Sequence, residues 1–264
     1  MAANQLQNLD TIFNSRIFRV PDYQRGYAWG ERQLTDFWDD LNRLTEKRNH
    51  YTGQLTLEHV GEPAWTLWDD ETWLIETKAY KPFYVVDGQQ RLTTAIILLK
   101  CLLERVGENT PIAFTEKADH IKKYLVQTGG VSRAYLFGYQ KDNPSYEYLK
   151  TQILGEPSTG YQGIETTYTA HLLSARNFFR EKLNGADHPT IERLFRALTQ
   201  RFLFNVYELE NELDVFVVFE TMNNRGKPLS KLELLKNRLI YLSTLLPHLK
   251  DYEKETLRRN INDG

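Results

Sequence analysis

Cysteine is nearly absent. Cys101 is the single one in 264 residues, so neither a disulfide framework nor a cysteine zinc site can be built. It sits in an apolar helical run and is expected to behave as a small buried hydrophobe. Charge of one sign is also missing: 33 Lys plus Arg stand against 35 Asp plus Glu, net −2. A broadly basic surface for nucleic acid is thereby excluded, and any such contact must use a local patch. No uninterrupted apolar run reaches the roughly 18 residues of a membrane span. Met1 to Asp10 is polar and lacks the apolar centre of a signal peptide. The expectation is a cytoplasmic, reducing setting. Several familiar chemistries are missing too: a Gly-x-x-x-x-Gly-Lys-Ser/Thr loop, His-Glu-x-x-His, and a Gly-x-Ser-x-Gly elbow. The six His residues are scattered.

With 41% apolar and 26% charged residues, the chain is long enough to bury a real core, in one domain or two. Ile17 to Val20 reads as a short strand. The loop Pro21 to Trp29 follows, then a helix from Glu31 to about Lys47 with Leu34, Phe37, Trp38, Leu41 and Leu44 at helical spacing. Tyr51 to Val60 reads as a strand, and Trp65 to Glu76 as the returning arm of a hairpin. Phe114 to Tyr124 is expected to be a helix and Ala134 to Phe137 a strand. Helices are expected at Tyr146 to Leu154, Thr166 to Leu183 and Thr190 to Arg201, with a strand at Phe202 to Tyr207. Two further helices, Asp214 to Met222 and Leu229 to Leu245, complete the pattern.

The most informative stretch is Asp87-Gly88-Gln89-Gln90-Arg91, between the β-rich run Phe83 to Val86 and the long apolar run from Leu92. That order predicts strand, tight turn and helix, with the helix ending near Val106 before Gly107. The first N–H groups of a helix have no intrahelical partner and carry partial positive charge. Gly88 permits a sharp turn and close approach, and Arg91 offers a fork for an anionic oxygen. A phosphate suits the corner. Asp87 and Gly88 as ordinary cap and turn residues, with Arg91 pairing Asp87, explain the same pattern.

Two other stretches offer similar chemistry. Gln24 and Arg25 lie among Tyr23, Tyr27 and Trp29, aromatics that either stack on a base or pack into the core. Asn223 and Arg225 lie in a turn closed by Gly226 and Pro228, after an apolar helix.

Together, Phe18-Arg19-Val20-Pro21-Asp22-Tyr23-Gln24-Arg25-Gly26-Tyr27-Ala28-Trp29, Val86-Asp87-Gly88-Gln89-Gln90-Arg91-Leu92-Thr93-Thr94 and Phe219 to Leu229 (with Asn223-Asn224-Arg225-Gly226) resemble one family. It is the N-terminal domain of GmrSD-type, modification-dependent restriction systems, also found in phosphorothioate-sensing defence proteins of the SspE type. The resemblance implies an α+β fold with a small mixed sheet similar to ParB and sulfiredoxin. Residues 1–139 would be the nucleotide-binding core and 140–264 a mainly helical region, or both one continuous domain.

It also implies nucleoside triphosphate hydrolysis, GTP included, coupled to control of DNA cleavage in anti-phage defence. Asp87, Gln89, Gln90 and Arg91 would be catalytic. Gln24, Arg25, Gly88, Thr93, Asn223 and Arg225 would bind nucleotide, and Asp87 would hold Mg²⁺. Implied partners are the triphosphate, DNA carrying a modification, a nuclease domain or subunit, and a second copy of the chain. The His-rich nuclease signature of many relatives is missing, and Trp65 to Trp73, with three of the five Trp residues, departs from the family pattern. That segment is expected to be an exposed hairpin arm.

Two alternatives remain at this stage. The domain could cut DNA itself, with Asp87 and Glu220 as metal carboxylates. Or it could be a non-catalytic DNA-binding module, since Arg225 to Gly264 holds nine Lys/Arg and five Asp/Glu.

Overall fold

The structure, a computed structural model, describes residues 5–45, 48–68, 70–141, 143, 145–158 and 166–209, together with 235, 239 and 256. It has an α+β fold organised on a six-stranded mixed sheet. The strands are β1 (Gln5–Gln7), β2 (Arg16–Val20), β3 (His50–His59), β4 (Lys81–Asp87), β7 (Phe137–Tyr139) and β8 (Phe202–Leu209), in the order β1-β8-β3-β4-β2-β7. β2 runs parallel to β4 and β7, and β3 runs antiparallel to β4 but parallel to β8. β5 (Val126–Gly129) and β6 (Ser132–Tyr135) form a separate antiparallel pair.

β8 lies between β1 and β3, so the sheet draws on both halves of the chain. Its apolar residues Phe202, Phe204 and Val206 join the same buried cluster as Phe18, Leu55, Leu57, Phe83 and Val85. The β-rich run before Asp87 thus pairs on both edges, as buried central strands do.

α4 (Gln89–Arg105) is the central helix. Twelve of its 17 residues are buried, in keeping with an apolar character on nearly every side. It packs with α5 (Lys117–Tyr124), α7 (Thr167–Lys182) and α8 (His188–Arg196). Cys101 is buried on it, facing the Arg176 carbonyl. α7 and α8 start at side-chain caps, Thr166 accepting from Thr169 N and Asp187 from Thr190 N. The remaining helices are α1 (Leu9–Ile12), α2 (Glu31–Asn42), α3 (Thr72–Lys78) and α6 (Ser145–Tyr148), the last widening into a π turn over Leu149–Ile153.

Four expectations are corrected. Trp65 to Glu76 is not a hairpin arm: Ala64–Leu67 is a 3-10 turn and α3 follows. The reason is that β3 already has β4 on one edge and β8 on the other. Nor is it exposed throughout: Leu67 is 69% exposed, but Trp68 is 7% exposed and packs on Tyr84 at 5.9 Å. The helix expected from Phe114 starts at Lys117, because Ala113 and Phe114 take positive φ in a tight turn bridging Ile112 and Thr115. α2 stops at Asn42, short of the expected end. Ala134 to Phe137 divides at Leu136 between two strands of different sheets. The expected helices beyond residue 210 lie outside the described residues.

Candidate phosphate corner at the start of α4

β4 delivers Asp87 to the end of the sheet, opposite Thr56 of β3. Gly88 then turns the chain with φ +88° and serves as the N-cap of α4, with no side-chain cap bond. Only glycine fits, because a Cβ here would lie 2.7 Å from the Gln54 carbonyl oxygen. Having no side chain, Gly88 itself offers no cap to the first N–H groups of this 17-residue, largely buried helix. The strand, tight turn and helix expected from the sequence are present, and the helix dipole places partial positive charge at this end.

The Pro21 to Trp29 loop is tied to that corner by two glutamines. β2 pairs with β4 no further than Arg19 opposite Tyr84. Gln24 takes over where that main chain leaves off: its Nε2 donates to the Val85 and Val86 carbonyls at 2.7 and 2.8 Å. Gln24 is only 2% exposed. From the helix side, Gln90 Oε1 accepts from Ala28 N at 2.8 Å and its Nε2 donates to the Gly26 carbonyl at 3.2 Å. Both ends of the Gln90 amide are thus occupied by main chain. These two residues tie the loop that carries the half-buried Arg25 to β4 and to the start of α4.

The loop aromatics belong to the core. Tyr27 is wholly buried and its hydroxyl donates to Thr94 Oγ1 at 2.7 Å, while Thr94 donates to the Gln90 carbonyl at 2.8 Å. Burial pushes the Tyr27 phenol far above its usual range. Trp29 packs edge-on against Phe37 at 6.1 Å. Gly26 lets Tyr168 of α7 cover the loop, since a Cβ there would be 2.6 Å from that ring.

Asp87 and Arg91 are half-buried at the mouth. Gln89 is 8% exposed and its buried Oε1 has no hydrogen-bond partner among the described residues, an orphaned acceptor at the first position of the helix. Thr93, one turn further, is wholly buried beside Tyr139, and neither hydroxyl completes a hydrogen bond of ordinary geometry. Burial raises the Tyr139 phenol, and the nearby Thr93 offsets part of that rise. Thr93 therefore faces the core. Asn223, Arg225 and Glu220 lie outside the described residues.

Sequence reasoning passed over Gly53 and Tyr168. Gly53 sits in a bulge of β3, with Arg91 against it. An isolated glycine inside a strand pattern is the signal that pointed there. Nothing in the sequence marks Tyr168 as a cover for Gly26.

The residues gathered here form a strand–turn–helix corner in an α+β domain, tied to an aromatic-rich loop. Residues 9–240 match the family described as "GmrSD restriction endonuclease, N-terminal domain". The chain belongs to that family and is a domain of a restriction system. No curated protein matches it. Among the described residues no helix is long and apolar enough to cross a membrane, and no group of three or more His, Cys, Asp or Glu side chains could hold a metal ion.

Proposed function

We propose that this domain binds and hydrolyses a nucleoside triphosphate and so gates DNA cleavage by a partner nuclease domain or subunit. The observation that carries this reading is the glycine-capped start of α4, framed by Asp87, Arg91 and the orphaned Gln89 oxygen. Arg91 and Arg25 would bind phosphate oxygens with the α4 N–H groups, and Asn223 and Arg225 would reach the same ligand from the later turn. Phosphoryl transfer needs positioning and charge neutralisation more than covalent chemistry, and the corner supplies both. With Gln90 engaged by the loop, Gln89 is the amide left to orient the attacking water.

Mg²⁺ fits this donor set through Asp87 alone. That ion commonly takes one or two carboxylates and completes its shell with substrate phosphates and water. When bound it would supply neutralising charge at the transferring phosphoryl group. The domain would act in the cytoplasm on DNA carrying a modification, alone or as a homo-oligomer.

Phosphate release from GTP, ATP and CTP, with and without Mg²⁺, by the unaltered protein, Asp87→Ala and Arg91→Ala tests the reading. The expected result is hydrolysis lost in both variants. Equal rates for all three folded proteins overturn it. DNA nicking without nucleotide, lost in Asp87→Ala, would replace it with direct cleavage.

A further inference from the structure

We infer that Gly53 is a positioning residue for Arg91: the bulge of β3 is the seat on which the guanidinium rests. This builds on the proposed phosphate role of Arg91, but the seat itself is judged separately.

Two observations carry it. Against β8, Tyr51 pairs with Leu203 and Gly53 with Phe204, so Thr52 is the extra residue and the strand bulges. At the bulge Gly53 takes φ +131°, a conformation that L side chains rarely adopt. A Cβ built there would lie 2.9 Å from Arg91 Cζ, 3.0 Å from Nε and 3.1 Å from Nη1. All three contacts are to the guanidinium. The missing side chain is therefore matched to one group, the tip of the side chain that would meet phosphate.

The consequence follows from which partner can yield. A guanidinium is the mobile end of a long side chain, whereas a paired strand in a sheet core is not. A Cβ at residue 53 strains the backbone at φ +131° and also crowds the guanidinium, which is the neighbour able to yield. Misplacing a charged group by about 1 Å costs on the order of 100-fold in rate. Pairing with Phe204 places Gly53 on the same face of β3 as the buried Leu55 and Leu57. The Arg91 guanidinium thus lies against β3 at Gly53.

The test uses Gly53→Ala, Arg91→Ala and the double variant in the full chain. Per folded molecule, phosphate release from GTP should fall about 10- to 100-fold in Gly53→Ala and no further once Arg91 is Ala, while the strain at φ +131° lowers stability in both backgrounds. Equal fold-losses in both backgrounds overturn the proposal, because they would mean a general effect on the fold. If Arg91→Ala hydrolyses like the unaltered protein, the nucleotide reading fails and the seat is judged by spectroscopy. In the unaltered protein the Arg91 Nε–H resonance, assigned by its loss in Arg91→Lys, should be as rigid as the backbone and show contact with the Gly53 α-protons. A mobile guanidinium without that contact overturns the seat, also where Gly53→Ala does not fold.

Discussion

Arg19 and Arg91 occupy opposite ends of one chemical choice. Arg19, on β2, has a side chain 3% exposed and forms a 2.6 Å ion pair with the equally buried Glu71. It also donates to the Phe18 and Tyr135 carbonyls and lies 5.2 Å from the Trp68 ring. Arg91, in the first turn of α4, is half-buried and lies against Gly53. One guanidinium is consumed by the fold and the other is held at its surface. Burial and the number of fixed partners separate an architectural arginine from one proposed to act on a ligand.

The Arg19 region also explains the Trp65 to Trp73 segment. Its tryptophans and acids hold a charge network against the sheet: Glu71 meets Arg19, and Asp70 pairs with Lys150 at 2.8 Å, which lies over the Tyr135 ring at 4.8 Å. Burial pushes the Glu71 carboxyl upward and Arg19 pulls it back.

The largest expected effect breaks that buried pair. Glu71→Ala leaves the Arg19 charge uncompensated and should cost about 3–5 kcal/mol of stability, read as a lowered urea midpoint. Hydrolysis per folded molecule should not change, and a loss there would erase the distinction between the two arginines. Arg91→Ala should do the reverse, removing about 2–4 kcal/mol of transition-state stabilisation while stability moves by no more than about 0.5 kcal/mol. Steady-state kinetics beside a denaturation curve checks both numbers.

Glu58 sharpens the comparison. It lies opposite Tyr84, which in turn lies opposite Arg19, and burial pushes its carboxyl up to about 7 from 4.5. Folding therefore favours the protonated form, and this contribution is full below about pH 4.5 and lost as pH rises towards about 7. The change should be at most about 3 kcal/mol, and Glu58→Gln should flatten that part of the stability–pH curve. The smallest effect belongs to Gln90→Ala, which removes both ties to the loop and should cost about 1–2 kcal/mol. Faster tryptic cleavage after Arg25 would show the loosened loop, and unchanged cleavage would deny Gln90 its tethering role.

Much of this fold is legible in one dimension. Phe83 to Val86 followed by Gly88 and a run of Leu, Ile and Ala can hardly be anything but strand, turn and buried helix, because each signal is local. The Trp65 to Glu76 segment was not legible, since its conformation depends on β8, more than 120 residues away, occupying the edge of β3. Gln24 and Gln90 read as ligand groups because an amide looks alike in any role; their main-chain partners become visible only when loop and helix are brought together.

The sequence by itself determined the mixed α+β class, the strand–turn–helix at Gly88 and the family, since each rests on contiguous residues or on motifs in a fixed order. Tertiary structure alone decided which polar groups stay at the surface. It placed Arg19 in an ion pair, locked Gln24 and Gln90 to carbonyls and set Arg91 on Gly53. The physical reason is that a side chain's chemistry depends on whether burial and neighbours have already used its hydrogen-bonding capacity, and those neighbours come from distant parts of the chain.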